Sequence, residues 1–371
     1  MRQRHSQITR RTFAGATLGA LAATRRIGLF GHASAEGGRR ASDAAIEVQL
    51  ARLSLAEKVA QLFMVDVLDL SLTPDDAAWL TRDRPGGVIL LGNNIGTPEE
   101  VAALVAAIHA TNPDLPPLVA VDQEGGPVSR LAGDPAPGAV ALGQLPDDEV
   151  AAFARARADY VASFGFDVNF APVADVAYRA DSIMAERAFG ADPVQVAAKV
   201  AAVVAGGAES GVLHAAKHFP GHGRSPLDSH ELLPEIDLSP AAWSATDALP
   251  FQAAIEAGVP IVMLGHLRYS QWDDLPTSLS GVTVEMLRGR LGFDGVIVTD
   301  DLAMAAVADR DPFAIVDWAI AAGVDWLLFG SHAVPVSDLI AYLQDQVASG
   351  TVAETRIDES VRRLLRLRFD R

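Results

Sequence analysis

Cysteine is absent from this 371-residue sequence, and lysine is scarce. Without cysteine the chain can form no disulfide framework, thiol nucleophile, lipid-anchoring thiol or cysteine-based zinc site. The lysines are Lys58, Lys199 and Lys217, against a much larger number of arginines. A lysine at the end of a strand is therefore a stronger indication of a functional role here than in an average protein.

Positive charge is in deficit, because the formal net charge is −17. Residues 1–35 carry six arginines and no acid, so their removal would take the net charge from −17 to −23. Such an acidic body would repel nucleic-acid phosphates and anionic membranes, whereas neutral ligands such as sugars meet no such barrier. Half of the residues are apolar, which is enough for one large globular domain or two small ones and excludes disorder.

The first 35 residues resemble an export signal. Thr9 to Phe13 read TRRTF, similar to the twin-arginine consensus, and residues 13–23 form an apolar run that is too short to span a bilayer. Ala33-Ser34-Ala35 fits a cleavage site. We expect export by the twin-arginine route to the cell envelope or extracellular space, with a mature chain from Glu36. The alternative is a disordered basic N-terminus of a cytoplasmic protein.

Short apolar segments alternate with helical stretches from residue 46 onward, with no linker-like break. Segments that are apolar throughout suit parallel strands covered on both faces. Eight strand–helix units predict an α/β fold, a (β/α)8 TIM barrel over residues 36–371, with a doubly wound open sheet as the alternative. The predicted strands are Gln61–Val67, Gly87–Leu91, Pro117–Val121, Asp167–Ala171, Leu213–Lys217, Pro260–Leu264, Gly295–Thr299 and Asp325–Phe329.

Helix signals lie between these strands. Capping boxes predict helix starts at Ser54 and Thr97. Apolar residues recur at helical spacing within Ala151–Phe164, Pro193–Ala208 and Ala241–Ala257. No GxGxxG follows the first strand, so a Rossmann nucleotide site has no support.

Catalytic groups of a (β/α)8 barrel lie at the C-terminal ends of its strands. Polar residues follow the third to eighth predicted strands here: Asp122, Gln123 and Glu124, then Asp175, Lys217 with His218, His266, Asp300 with Asp301, and Ser331 with His332. Any barrel rim is polar, so position alone assigns no role.

The loop after the fifth strand concentrates histidines. Its sequence over 216–230, AKHFPGHGRSPLDSH, contains prolines and glycines that prevent a helix. As a metal site, His218 and His222 have i, i+4 spacing but lack the helix that would align them. As an acid/base site, Asp228 can hold one imidazole nitrogen of His230 and leave the other for the substrate. A third interpretation is that these polar residues bond only their own backbone.

The seventh strand delivers two adjacent carboxylates, Asp300 and Asp301, in the segment FDGVIVTDDLAM over 293–304. One of them could attack an anomeric carbon. Asp301 could instead be the N-cap of the following helix. Both hold if Asp300 is reactive and Asp301 structural.

Four strings resemble, in order and spacing, the family 3 glycoside hydrolases of the single-domain β-N-acetylglucosaminidase type: VDQEGGPVSR, AERAFGADP, AAKHFPGHGRSPLDSH and GVIVTDDLAM. The resemblance runs from about Ser54 to the C-terminal helix over Ile357–Phe369. It implies that Asp300 is the nucleophile and that His230 and Asp228 form an acid/base dyad. It also implies that the sugar is held by Asp122, Arg130, Arg187, Lys217 and His218.

The activity implied by this resemblance is that of a retaining exo-β-N-acetylglucosaminidase, without cofactor or metal, acting on peptidoglycan- or chitin-derived glycans. Some family members complete the site from a C-terminal α/β sandwich domain. We expect no such domain here, so the acid should come from the DSH loop, which we expect to close over the sugar. A monomer is expected, with a glycan as its partner, no nucleic acid and no stable membrane insertion after signal removal.

Two positions depart from the family pattern. Pro127 stands where relatives often have arginine, and Arg224 where they often have aspartate. Neither position is the nucleophile or part of the dyad, so the departures bear on substrate detail.

Other functions remain open at this point. A β-glucosidase and an N-acetylglucosamine phosphorylase would have the same fold. A metal-dependent amidohydrolase would need H-x-H after the first strand, which reads Met64-Val65-Asp66-Val67. A non-catalytic sugar-binding protein would not need a carboxylate together with a His–Asp dyad.

Overall fold

The computed structural model describes residues 42–330 and 334–369, which form a ring of parallel strands surrounded by helices. Apart from 42–44, these residues belong to one unit, Ala45–Arg371. The predicted export signal over 1–35 lies outside the described residues. The barrel strands are β1 (Phe63–Asp66), β2 (Gly87–Leu90), β3 (Leu118–Val121), β4 (Val168–Asn169), β5 (Leu213–Phe219), β6 (Ile261–Leu264), β7 (Val296–Thr299) and β8 (Leu327–Phe329).

The strands pair in parallel and in sequence order from β1 to β7, and β1 also pairs with β8. The ring closes between β7 and β8, where Val298 and Trp326 form a parallel bridge. There the Trp326 backbone N–H donates to the Ile297 carbonyl oxygen at 3.0 Å. The predicted (β/α)8 barrel is therefore confirmed, and the doubly wound alternative is wrong because an open sheet would leave two edge strands.

Burial explains why the strands were recognisable. Every residue of β2, β3, β6 and β7 is buried, as expected for parallel strands packed on both faces. All eight predicted strands are present, most of them one or two residues shorter at an end. Gln61, which we placed in the first strand, is instead the last residue of the helix that begins after the Ser54 cap.

Helices occupy the connections between strands. They cover 42–52, Leu55–Gln61, Pro74–Asp83, Pro98–Ala110, Ala139–Leu142, Asp147–Ala162, Pro193–Gly207, Pro240–Ser244, Ala248–Glu256, Gly281–Glu285, Ala305–Ala308, Pro312–Ala322, Val336–Ala348 and Glu354–Phe369, with a π-helical turn over Met286–Arg290 and 3-10 turns over Gly92–Asn94 and Thr277–Leu279. Two short strand pairs lie outside the barrel, Gln123–Gly125 with Val128–Ser129 and Glu235–Ile236 with Arg268–Tyr269. In the described part of the chain, no helix is both long enough and apolar enough to cross a membrane.

One predicted helix is broken in two. Both capping boxes form as predicted, but the stretch Ala241–Ala257 contains separate helices over Pro240–Ser244 and Ala248–Glu256. Pro250 has no N–H to donate and fits only in the first turn of a helix, so a new helix must begin just before it. The break lets Asp247 turn into the protein, where its side chain is 2% exposed.

Candidate active site

Five predicted site residues meet at the C-terminal end of the barrel. Asp122 follows β3, Lys217 and His218 lie in β5, and Asp300 follows β7, while Arg187 comes from the long connection after β4. The barrel geometry therefore brings together side chains that are far apart in the sequence, at the end where barrel enzymes hold their substrates.

Lys217 lies at the centre of a buried ion-pair network. Its Nζ is 2.6 Å from Asp122 Oδ1 and 2.7 Å from Glu124 Oε1. Arg187 binds the same glutamate with Nε at 3.0 Å and Nη2 at 2.7 Å. The side chains of Lys217 and Glu124 are each 3% exposed, so each charge needs the partners it has here. Together these side chains form a fixed polar surface, which we call the floor of the site: Asp122, Glu124, Arg187 and Lys217.

Glu124 was named among the polar residues at the strand ends, but no role was assigned to it from the sequence. It lies two positions after Asp122 in extended chain, a spacing that places both side chains on one face and that was the available signal. Burial alone raises the pKa of the Glu124 carboxyl, but Lys217 and Arg187 together outweigh burial and lower it to about 2. Burial lowers the pKa of the Lys217 ammonium, but the two carboxylates outweigh it and raise that pKa.

We expect this network to weaken in acid. The folded pKa of Glu124 is about 2, against an ordinary value of 4.5. Because the folded pKa is the lower one, its stabilisation is complete above that ordinary value and is lost as the pH falls towards 2, on the order of 3 kcal/mol in all. Urea unfolding at about pH 6 and about pH 3 should show a smaller loss of unfolding free energy in Glu124→Gln than in the unaltered protein. An equal loss in both proteins would contradict this assignment.

His218 is held as a neutral imidazole. Its Nδ1 is 2.7 Å from Asp175 Oδ2, and its Nε2 is 3.4 Å from Arg187 Nη2. Burial, Arg187 and Lys217 keep the imidazole pKa well below its ordinary value against the opposing effect of Asp300. Arginine only donates hydrogen bonds, so Nε2 accepts and Nδ1 donates its proton to Asp175. The arrangement suits binding better than proton transfer at neutral pH.

His222 lies beside His218 and binds the same aspartate. The two ring centroids are 6.1 Å apart with the ring planes at 71°. The His222 backbone N–H donates to Asp175 Oδ1 at 2.6 Å, while both ring nitrogens are buried and have no hydrogen-bond partner among the described residues. Across residues 42–330 and 334–369, no group of three or more histidines and acids is arranged to hold a metal ion. Both residues instead organise around Asp175, a second residue that sequence reasoning left without a role.

The two carboxylates after β7 have different partners. Asp301 Oδ1 accepts from Ala303 N at 2.9 Å and from Gly330 N at 2.8 Å, which ties the end of β7 to the end of β8. The proposed N-cap role of Asp301 is wrong, because a turn comes first and Met304 is the N-cap of the next helix. The role of Asp301 is nevertheless structural.

Asp300 is the carboxylate that remains for chemistry. Within the described residues its side chain makes one hydrogen bond, with Oδ1 accepting from Asp301 N at 2.9 Å, and it is partly exposed. Burial raises the pKa of Asp300, but its polar neighbours, among them the Asp301 N–H and the Lys217 ammonium, outweigh burial and lower it. The group is therefore ionised at neutral pH, as a nucleophile must be.

His230 and Asp228 form a pair on the loop after β5. His230 Nδ1 is 2.7 Å from Asp228 Oδ1, which also accepts from His230 N at 2.9 Å. The His230 side chain is 65% exposed and lines an open cleft of about 590 Å³ together with Asp301 and Met304. Nδ1 is engaged, so Nε2 is the nitrogen left for the contents of the cleft. No hydrogen bond in the described residues joins this pair to Asp300.

Arg130 and Pro127 make no hydrogen bond to the Lys217 network within the described residues. The Nε of Arg130 is buried and has no hydrogen-bond partner among the described residues. Pro127 is exposed in the turn that joins the short strands Gln123–Gly125 and Val128–Ser129. Ser331 and His332 lie outside the described residues.

Comparison with known proteins connects this site to a family. Residues 54–367 match the family model described as the glycosyl hydrolase family 3 N terminal domain. The β-hexosaminidase of Alkalilimnicola ehrlichii is 36% identical over 288 residues, which make up 74% of this chain and 82% of that protein.

Two solved structures share the fold. A glycoside hydrolase family 3 β-N-acetylglucosaminidase from a Paenibacillus species is 34% identical with a TM-score of 0.81, and the match covers 85% of this chain but 62% of that longer chain. A β-N-acetylhexosaminidase from Beutenbergia cavernae is 33% identical with a TM-score of 0.78, covering 85% of this chain and 98% of the other. With its fold, its site strings and most of its length matched, the chain belongs to glycosyl hydrolase family 3.

Proposed function

We propose that this chain is a retaining exo-β-N-acetylhexosaminidase that releases β-linked N-acetylglucosamine from glycans. The observation that carries the proposal is the ionised carboxylate of Asp300, which lies beside the floor built on Lys217. The next residue, Asp301, lines the cleft that bears the His–Asp pair. The names of the relatives, β-hexosaminidase and β-N-acetylglucosaminidase, support the choice of sugar.

The proposed reaction has two displacements at one carbon. Asp300 attacks the anomeric carbon as the bond to the leaving oxygen breaks, and His230 gives that oxygen its Nε2 proton. Water then attacks the same carbon, the ester bond to Asp300 breaks, and His230 takes the proton from the water. Two inversions retain the β configuration. Asp228 accepts a hydrogen bond from the Nδ1–H throughout, which fixes the orientation of the ring.

Substrate binding would use the floor of the site. We assign the sugar hydroxyls and the acetamido group to Asp122, Arg130, Arg187, Lys217 and His218. Arg130 supports this assignment because a buried donor without a partner is costly, and a substrate oxygen would supply that partner.

A panel of aryl glycosides tests the function. The purified protein should hydrolyse the aryl β-N-acetylglucosaminide roughly 100-fold or more faster than the aryl β-glucoside, because a site that binds the acetamido group loses those contacts with glucose. The first sugar detected by NMR should be the β anomer. Added inorganic phosphate should not change the rate. Preference for the glucoside, an α product or formation of sugar phosphate would each overturn the proposal.

We also propose that the chain is exported and acts on cell-wall or chitin glycans outside the cytoplasm. The TRRTF string and the Ala-Ser-Ala site support this. In fractionated cells that express the full chain, changing both Arg10 and Arg11 to lysine should retain the activity in the cytoplasm. Equal distribution of the original and the doubly substituted chain would contradict export by this route.

A further inference from the structure

The segment 218–225 is fixed at the base of the acid/base loop. The Trp243 indole N–H donates to the Pro220 carbonyl oxygen at 2.8 Å, and the Tyr269 hydroxyl donates to the Gly221 carbonyl oxygen at 2.8 Å. All of its residues except one are buried. This part of the loop therefore has long-range partners from the connections on both sides of β6.

Arg224 is the exception, and its side chain reaches a buried acid. Its Nε and Nη2 lie 2.9 Å and 2.7 Å from Asp247 Oδ2, and Nη2 also donates to Thr246 Oγ1 at 3.0 Å. Its guanidinium carbon lies 3.8 Å above the centroid of the Tyr178 ring. Asp247 is 2% exposed and Arg224 25%. A planar guanidinium that is both hydrogen-bonded and stacked is held in one orientation.

Beyond this pair the loop loses its long-range hydrogen bonds. Among the described residues, every hydrogen bond made by residues 226–233 has its partner within the same loop, between positions 222 and 232. The next anchor to another element is the Arg268 N–H, which donates to the Pro234 carbonyl oxygen at 2.8 Å. We call residues 226–233 the tip of the loop. The tip carries His230 and Asp228 and lies between two anchored residues, Arg224 before it and Pro234 after it.

We propose that the Arg224–Asp247 pair positions the acid/base dyad by fixing the start of this tip. Arg224 is then a positioning residue, since it acts through the loop and touches none of the reacting atoms. The inference rests on the proposed role of His230 as the acid, because without that role the tip has nothing to position.

Substrates with leaving groups of different basicity show whether the Arg224–Asp247 pair positions the acid or only stabilises the fold. A good leaving group such as 2,4-dinitrophenolate departs without a proton, whereas a methanol or sugar leaving group needs the acid. Arg224→Gln and Asp247→Asn should each lower kcat/KM about 10- to 100-fold on the methyl glycoside, because a small displacement of a catalytic group has effects of this size. On the dinitrophenyl glycoside the loss should be less than about 3-fold.

Matched variants complete the test. Arg155→Gln removes an exposed arginine that pairs with Glu209 on the outer surface and should leave both rates unchanged. Arg224→Lys keeps the charge but loses the two-point contact, so its kcat/KM on the methyl glycoside should lie between those of the original protein and Arg224→Gln. If Arg224→Gln does not fold, Arg224→Lys replaces it in the test. In a His230→Ala background, Arg224→Gln should add little further loss, because the group that it positions is already gone.

Two results overturn the proposal. Equal losses on both glycosides would mean that the pair only stabilises the fold, and full additivity with His230→Ala would mean that it acts elsewhere. The proposed function fails in a distinguishable way, since His230→Ala would then show no dependence on the leaving group.

Discussion

Replacement of Asp300 by alanine should lower kcat/KM by about 10³- to 10⁵-fold on every glycoside, because it removes the carboxylate that forms the covalent intermediate. Asp300 is partly exposed and ionised, while Asp301 is tied to Ala303 N and Gly330 N. The loss should not depend on the leaving group, since bond formation to the anomeric carbon fails in each case. Initial rates on the dinitrophenyl and methyl glycosides would measure it.

Asp294→Ala is the matched control, since Asp294 is an exposed carboxylate at the opposite end of β7. Its activity should equal that of the original protein. Azide should restore turnover to Asp300→Ala and yield the α-glycosyl azide, because azide enters from the face that the carboxylate occupied. A 5-fluoro glycoside should label the peptide containing Asp300, and a label on any other peptide would overturn the assignment.

The barrel and its catalytic end were predictable because the burial of a strand determines the residue types along that same short stretch of sequence. A strand covered on both faces must be apolar along its whole length, and Val296–Thr299 followed by Asp300 is such a strand with an acid at its end. The same argument fails for Gln61 and for the break before Ala248. The assignment of Gln61 depends on how far the helix after the Ser54 cap continues, and the break before Ala248 depends on the single residue Pro250.

The floor of the site could not be derived from the sequence, because its partners are remote. Glu124 binds Arg187 from 63 positions away, and beside the floor His222 binds Asp175 from 47 positions away. A loop of prolines and glycines adopts its shape from such contacts rather than from local propensity. The family resemblance supplied Arg187 and Lys217, but it left out the glutamate that holds both.

Replacement of His230 by alanine should have the second largest effect, and it should depend on the leaving group. On the methyl glycoside kcat/KM should fall by about 10²- to 10⁴-fold, which is the usual contribution of a general acid. On the dinitrophenyl glycoside the first step needs no acid, so kcat/KM should change little. The second step still lacks its base, so the glycosyl-enzyme should accumulate and a rapid burst of dinitrophenolate should precede slow turnover.

A second His–Asp pair in the same protein provides the control. His109 Nε2 lies 2.8 Å from Asp167 Oδ2, and Asp167 precedes β4 at the N-terminal end of the barrel, away from the cleft. His109→Ala should therefore retain the original rates on both glycosides. Asp228→Asn should show the same dependence on the leaving group as His230→Ala but a smaller loss, because the amide oxygen can still accept the hydrogen bond from the Nδ1–H and orient the ring. A His230→Ala protein with equal losses on both glycosides and no burst would remove His230 from the reaction and leave Asp300 as the only assigned catalytic group.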